Sequence, residues 1–288
     1  TREYFESRGE PEAWRDYWQN EDTRLVHFIG KDNIPFHCIV FPGMLYGAKR
    51  DWVFPAAVPA NEFYRLEGEK FSTSEGHTFD TEAFFEEYDR DVTRFHILWT
   101  APETSDSDFR IQQLVEVNNG ILADTIGNLA TRVLRFAARN FEGRLPSLSP
   151  DHEAELDALL LEQCGAIADP AAEIHRYRFR AAAQQLIANA RAANEFLEKA
   201  APWQLRKTDP EKAASVLATA ADWLGLLSHW MAPMMPGKAQ ALWEMLGQDG
   251  AVADRGWPER PTPGNWRALE PERPLPEIVP LFPKIETE

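Results

Sequence analysis

The chain has 288 residues, 44% hydrophobic and 26% charged, enough to bury a core and long enough for two or three packed units. Its net charge of -16 argues against nucleic-acid binding by bulk electrostatics, so any RNA contact must come from a local basic or aromatic patch, modest in affinity and salt-sensitive. No apolar run approaches the roughly 20 residues of a membrane span, no signal peptide is visible, and Cys38 and Cys164 make neither a disulfide framework nor a zinc knuckle; no membrane, no zinc and a reducing cytoplasm are the expectations.

The opening Thr1-Arg2-Glu3-Tyr4 has no initiator Met, as in a piece of a longer protein or a trimmed chain. Residues 1–20 read as a helical segment, with Trp14, Tyr17 and Trp18 at i, i+3, i+4 spacing. Leu25 to Ile29, ended by Gly30, predicts a buried strand of a parallel sheet. A helix from Phe36 to Leu45 and a second apolar run, Val53 to Val58, complete one strand–helix–strand unit, about half of a nucleotide-binding sheet. Glu67 to Gly76 is a polar loop, Thr81 to Tyr88 and Val92 to Trp99 are helices, and Pro102 to Asp108 is a turn-rich linker.

Beyond about Gln112 the chain reads as helical. Leu114, Val115, Leu122, Ile126, Leu129, Val133 and Phe136 form one stripe at helical spacing. Helices are expected over 151–169, over the Ala-rich 171–199 (stopped by Pro202), over Glu211 to His229 and over Pro236 to Leu246. Short loops between them imply an antiparallel bundle, and the Pro-rich last 30 residues an extended tail. The fold class is therefore a partial α/β Rossmann half followed by an all-α antiparallel helix bundle.

Three clusters carry candidate chemistry. Gly30-Lys31-Asp32-Asn33-Ile34-Pro35-Phe36-His37 sits where a parallel strand ends and a helix begins, the edge at which open sheets bind ligands. Asp32 can hold a ribose hydroxyl there and His37 can line a pocket wall; the alternative is a plain turn with a capping Asp and a packed His. The loop Lys70-Phe71-Ser72-Thr73-Ser74 has the form of the class I aminoacyl-tRNA synthetase loop Lys-Met-Ser-Lys-Ser, whose lysines neutralise ATP phosphates. Asn128 and Arg132 are i, i+4 neighbours flanking the apolar stripe, and Trp203 follows Pro202, where an exposed indole can stack a base, worth roughly 1–3 kcal/mol. The alternative for Trp203 is core packing.

Taken together these pieces resemble methionyl-tRNA synthetases. Gly30-Lys31-Asp32-Asn33 with Phe36-His37, then Pro59-Ala60-Asn61-Glu62 leading to Glu67-Gly68, then Pro102-Glu103 with Ser105 to Phe109, look like successive segments of that family. Gly127-Asn128-Leu129 with Arg132, Ala201-Pro202-Trp203, and the terminal Leu281 to Ile285 follow in the family's order. The resemblance implies the second half of a Rossmann catalytic domain over 1–60, a stem-contact region with the signature loop over 61–111, and an anticodon-binding bundle with its tail over 112–288. It implies methionine activation with ATP (and its Mg2+) and transfer to methionine-acceptor tRNA. By matching position, Gly30, Asp32, Lys70, Ser72 and Ser74 would contact ATP or the adenylate, Lys70 in a catalytic role. Asn33 and His37 would line the methionine pocket, and Asn128, Arg132 and Trp203 would read the anticodon. A monomer is expected.

The chain departs from the family in two ways. It begins after the family's first signature, His-Ile-Gly-His, so this segment alone is not expected to form a full ATP site. Its signature loop has Thr73 in place of the second lysine, with Glu69 and Glu75 nearby, and acids beside a triphosphate repel it by roughly 1–4 kcal/mol per close pair. Lys31 or Arg65 can substitute if the loop rearranges. Three readings follow: part of a working ligase, a paralogue that binds tRNA with lost or weakened adenylation, or an interaction protein that has lost tRNA as well.

Overall fold

The computed structural model describes residues 1–49, 51–72, 76–164, 169–257, 262, 264, 266–267 and 269–286. The chain divides into two compact units: Thr1–Arg65 with Ala101–Asp108, and Leu66–Thr100 with Phe109–Glu288.

In the first unit the expected opening helix is two short ones, α1 (Arg2–Ser7) and α2 (Arg15–Trp18). Gly9 adopts φ +77 and Pro11 follows, and neither continues a helix. The expected strand also comes in two pieces. β1 (Leu25–Val26) pairs in parallel with β3 (Pro55–Ala57), and β2 (Ile29–Gly30) pairs in parallel with β4 (Ala60–Asn61). A register shift at Leu25/Val26 breaks the ladder, while His27 N–H still donates to the Ala57 carbonyl at 3.0 Å. The crossover between the strands holds a 3-10 turn at Lys31–Asn33, a π-helical turn at Phe36–Val40 and α3 (Phe41–Gly47).

These strands are parallel as expected but half-buried, not buried. Parallel sheets are normally covered on both faces. Among the described residues each of these sheets has two strands, and Phe36, Ile39, Met44 and Tyr46 stand 61%, 70%, 67% and 81% exposed. That is an apolar surface of the kind a further α/β layer covers.

The chain changes unit three times: within β5 (Tyr64–Leu66), after Thr100, and within β6 (Ser107–Phe109). In the second unit, α4 (Thr81–Glu87) and α5 (Arg90–Trp99) start at Asp80 and Asp89, whose carboxylates each accept two backbone N–H groups of the first turn. α6 (Ile111–Glu116) runs into an eleven-residue π-helical stretch, Val117–Gly127, and on into α7 (Asn128–Asn140). The predicted stripe lies inside except at its end: Leu114, Leu122, Ile126, Leu129 and Val133 are fully buried and Val115 is buried, while Phe136 is half-buried.

α8 (Pro150–Cys164) is followed by a pair where one helix was expected. α9 (Pro170–His175) ends at a corner where Tyr177 takes φ +60, and α10 (Phe179–Ala200) begins after it. Pro202 does not stop a helix. α10 ends at Ala200, Ala201 turns the chain at φ +42, and Pro202 opens the unforeseen α11 (Pro202–Thr208). Proline suits a first turn because its absent N–H would have no partner there. α12 (Pro210–Met231) is the core helix, buried at every residue from Ser215 to Met231, and α13 (Pro236–Met245) packs on it. Trp223, Trp230 and Trp243 are fully buried.

The tail is extended as expected, with no helix among its described residues after the 3-10 turn Val252–Arg255. Leu281 and Phe282 are buried, and Asn118 and Asn119 donate to the carbonyls of Pro283 and Ile285, both at 2.9 Å. No helix of the described chain is long and apolar enough to cross a membrane.

Candidate nucleic-acid interface

Three elements of the second unit converge on one surface. Asn128 opens α7 directly after the π-helical stretch, and Arg132 stands one turn further along the same face. Trp203 is the second residue of α11, aimed by the Ala201 corner. The Arg132 guanidinium carbon lies 5.1 Å from the Trp203 ring centroid, a cation–π contact. Its Nη2 is 2.7 Å from the Glu198 carboxylate on α10. The indole is not core: it is 36% exposed, unlike the three buried tryptophans of α12 and α13.

Asn128 is exposed, and its Nδ2 sits 3.4 Å from Asn194 Oδ1. Asn194 in turn donates to the carbonyls of Thr125 at 3.1 Å and Ala190 at 3.0 Å. Asn128, Arg132, Arg191, Asn194, Glu198 and Lys199 help to line an open pocket of about 700 Å³. The structure thus joins Arg132 to Trp203 by contact and to Asn128 by a shared pocket wall; Trp203 stands beyond that wall. In this pocket Arg132, Arg191 and Lys199 offset Asp124, Glu195 and Glu198, a local balance on a chain of net charge -16. A second pocket of about 690 Å³ shares Asp124 and Asn128 and is closed by Pro280 to Lys284 of the tail. Lys284 Nζ is 2.9 Å from the Asp124 carboxylate.

Asn194 and Glu198 did not figure among the sequence candidates. Their signal was available: two polar residues at i, i+4 in an otherwise Ala-rich helix, a spacing that puts both on one face.

The signature loop belongs to the same unit. Lys70 is exposed, and Ser72 exchanges two backbone hydrogen bonds with His77, at 3.0 and 2.9 Å, which closes the loop. Gly68 at φ +90 and Gly76 at φ +73 make the turns. His77 Nε2 sits 2.8 Å from the Leu66 carbonyl and Phe71 packs on Phe79, so both ends of the loop are anchored. Thr73, Ser74 and Glu75 lie outside the described residues.

In the first unit Gly30 ends β2, and the Asp32 carboxylate folds back beside it, accepting from Asn33 Nδ2 at 3.2 Å. Asp32 and Asn33 are exposed. His37 is half-buried, its Nδ1 3.0 Å from Nδ1 of His27, and burial together with the His37 charge pushes the His27 imidazole down. One proton between the two nitrogens satisfies both; two would repel. Lys31 is tied to Glu62 and to Asp106 and lies 4.3 Å over the Phe63 ring, and the hydrogen bond to Glu62 raises its pKa. Arg65 pairs with Asp106 at 3.2 Å. Lys31 and Arg65, the two cations named as substitutes for the signature lysine, are therefore both held by carboxylates.

Comparison with known proteins matches both parts of the chain. The family model described as tRNA synthetases class I (M) matches residues 1–134, and the anticodon binding domain of methionyl tRNA ligase matches residues 148–288. The methionine–tRNA ligase of Salinibacter ruber is 38% identical, over 99% of this chain and 42% of that protein. That of Korarchaeum cryptofilum is 34% identical, over 100% of this chain and 50% of its own length. A crystal structure of Mycobacterium tuberculosis methionyl-tRNA synthetase bound by methionyl-adenylate superposes with a TM-score of 0.76 at 26% identity, over 91% of this chain and 50% of that one. The chain thus spans about half the length of these relatives.

Proposed function

Because the chain belongs to the methionyl-tRNA synthetase family, we propose that its helical unit reads the anticodon of methionine-acceptor tRNA, as part of a protein that joins methionine to that tRNA at the expense of ATP. The observation that carries the reading is that Arg132 links the two other groups: it contacts the part-exposed Trp203 ring and shares a pocket wall with the exposed Asn128. A splayed anticodon base needs those three groups: a ring to stack on, a hydrogen-bonding edge and a positive charge for phosphate.

Methionine activation joins the amino-acid carboxylate to the α-phosphate of ATP and expels pyrophosphate; a terminal ribose hydroxyl of the tRNA then takes the methionyl group and AMP leaves. In the first step Lys70, with Ser72 and Ser74, would hold the phosphates of magnesium-bound ATP. Gly30 and Asp32 would hold the ribose, and Asn33 and His37 would face the methionine side chain. The apolar surface around Phe36, Ile39, Met44 and Tyr46 is suited to packing against the rest of a catalytic domain. We take the working protein to be a cytoplasmic monomer.

One observation favours a second reading, a paralogue that keeps tRNA and has lost or weakened adenylation. The loop Lys70-Phe71-Ser72-Thr73-Ser74 offers one lysine, and Lys31 and Arg65 are already paired with acids. Two measurements on the full-length protein decide between them. Binding of methionine-acceptor tRNA with methionine-dependent ATP–pyrophosphate exchange supports the ligase. Binding without exchange supports the paralogue, and absence of tRNA binding at low salt overturns both.

A further inference from the structure

We infer that Asn194 is a positioning residue for base reading: it fixes the amide of Asn128 so that Asn128 shows the RNA one carbonyl acceptor and one N–H donor in a set order. The inference rests on the anticodon reading proposed above and names the residue that makes its hydrogen-bonding specific.

An asparagine amide carries two N–H donors and an oxygen acceptor, and each must find a partner or water. The two N–H groups of Asn194 are both used, one on the Ala190 carbonyl a turn back in α10 at 3.0 Å, the other on the Thr125 carbonyl at 3.1 Å. Turned over, that amide would set its oxygen against two carbonyl oxygens, so its orientation is settled. Asn194 Oδ1 therefore points at Asn128, whose Nδ2 lies 3.4 Å away. The same restriction passes to Asn128: reversed, its oxygen would meet the oxygen of Asn194. What remains of Asn128 for a ligand is its Oδ1 and one N–H.

An unrestrained asparagine can present its amide either way round, because the terminal torsion is broad. Such a side chain pairs equally with an amino base, whose exocyclic N–H lies next to a ring-nitrogen acceptor, and with a keto base, whose ring N–H lies next to a carbonyl. A fixed order, offered to a base held by the neighbouring Trp203 surface, admits one of these patterns and opposes the other. Asn194 does not line up as a reader itself, since its donors are spent inside the protein. Its effect runs through Asn128.

The test uses the whole chain and labelled RNA hairpins carrying the methionine anticodon CAU, with each anticodon base exchanged in turn for its amino or keto counterpart (C to U, A to G, U to C). The unaltered chain is expected to prefer the CAU hairpin by about tenfold or more at the position read by Asn128. Asn194→Ala is expected to bring that preference to within about twofold, leaving the preferences at the other positions and the melting temperature nearly unchanged. Asn128→Ala should lose the same preference, and the double variant no more than either single one. Asn194→Ser, whose hydroxyl can still donate to Ala190, replaces the Ala variant if that one fails to fold. Retention of the preference in Asn194→Ala, or an equal loss at every position, overturns the role given to Asn194. Failure of the unaltered chain to bind any hairpin overturns the anticodon reading and this inference with it.

Discussion

The guanidinium of Arg132 lies 5.1 Å from the centroid of the Trp203 indole, across the junction between α7 and α11. Neither residue could be placed beside the other from sequence spacing, as 71 positions separate them (203 minus 132). The contact holds a planar cation against a ring that is still 36% exposed. On the anticodon reading proposed above, it would give a base both a stacking partner and a charge for its phosphate.

Replacing Trp203 by Ala removes the stacking surface. Affinity for the methionine anticodon hairpin should fall by about 1–3 kcal/mol, roughly 5- to 150-fold in Kd. Trp203→Phe should retain part of it. Because about two-thirds of the indole is buried, Trp203→Ala should also lower the melting temperature, and Trp203→Phe should lower it less, so affinities are compared well below both melts. Fluorescence anisotropy and a thermal melt, run side by side, check both expectations.

Glu198 holds Arg132, and on the anticodon reading it would compete with phosphate for the guanidinium. Glu198→Gln removes one negative charge from the pocket and releases the guanidinium, so RNA binding should tighten. Exposed ion pairs of this kind are worth up to about 1 kcal/mol, so the gain is at most about fivefold. It should shrink as salt rises, since added ions screen the charge that was removed. Binding isotherms at two salt concentrations read the effect; equal gains at both would contradict it.

His96 provides a pH test of the fold. It is fully buried in α5, edge-on to Phe109 at 5.0 Å, and neither ring nitrogen has a hydrogen-bond partner among the described residues. Burial pushes its pKa down from 6.5 to about 4. The unfolded chain takes up a proton below about 6.5 that the folded chain refuses until about pH 4. Stability is therefore full above 6.5 and lost as pH falls through that window, by up to about 3 kcal/mol. His96→Leu should flatten this loss. Asp222, raised to about 6 by burial, works the other way and loses stability as pH rises. It is present in both proteins, so the difference between their urea midpoints at pH 7 and pH 4.5 isolates His96.

Gly247 is a place where a side chain does not fit. Its φ is +72, and an added Cβ would meet the Pro274 carbonyl oxygen at 2.6 Å and Arg273 Cβ at 3.2 Å. Arg273 Nε donates to the Gly247 carbonyl at 3.0 Å, so the tail is fastened at this turn. Gly247→Ala should cost about 2 kcal/mol or more and loosen the tail from the bundle. A lowered melting temperature with faster proteolytic cleavage near Arg273 is the expected outcome.

The sequence carried the helices and the parallel crossover because each has a local cause. The Leu114 to Val133 stripe repeats at helical spacing, and Gly30 punctuates an apolar strand. What it hid depends on single residues in unusual backbone states. Tyr177 at φ +60 and Ala201 at φ +42 cut helices where composition gives no warning, since neither is glycine. Pro202 looked like a terminator because a proline after an Ala-rich run is read that way, yet proline serves the first turn of a helix equally well. The half-exposed strands were misjudged because apolar composition reports what a segment can bury, not what is there to cover it. At the candidate interface, Asn128, Arg132 and Trp203 were visible through family resemblance. Asn194 and Glu198 could be placed on one face of α10 by their i, i+4 spacing, but that this face meets α7 could not be read from it.

The π-helical stretch that precedes Asn128, the first turn of α7, the middle of α10 and the start of α11 are all hydrogen-bonded helix. On the anticodon reading, the backbone that carries Asn128, Arg132 and Trp203 would be ordered before RNA arrives, and little backbone entropy would be lost on docking. The rearrangement would then fall on the nucleic acid, whose loop nucleotides must unstack. Association should then follow the flexibility of the RNA loop: stiffening the hairpin slows capture, while tightening the protein further gains almost nothing.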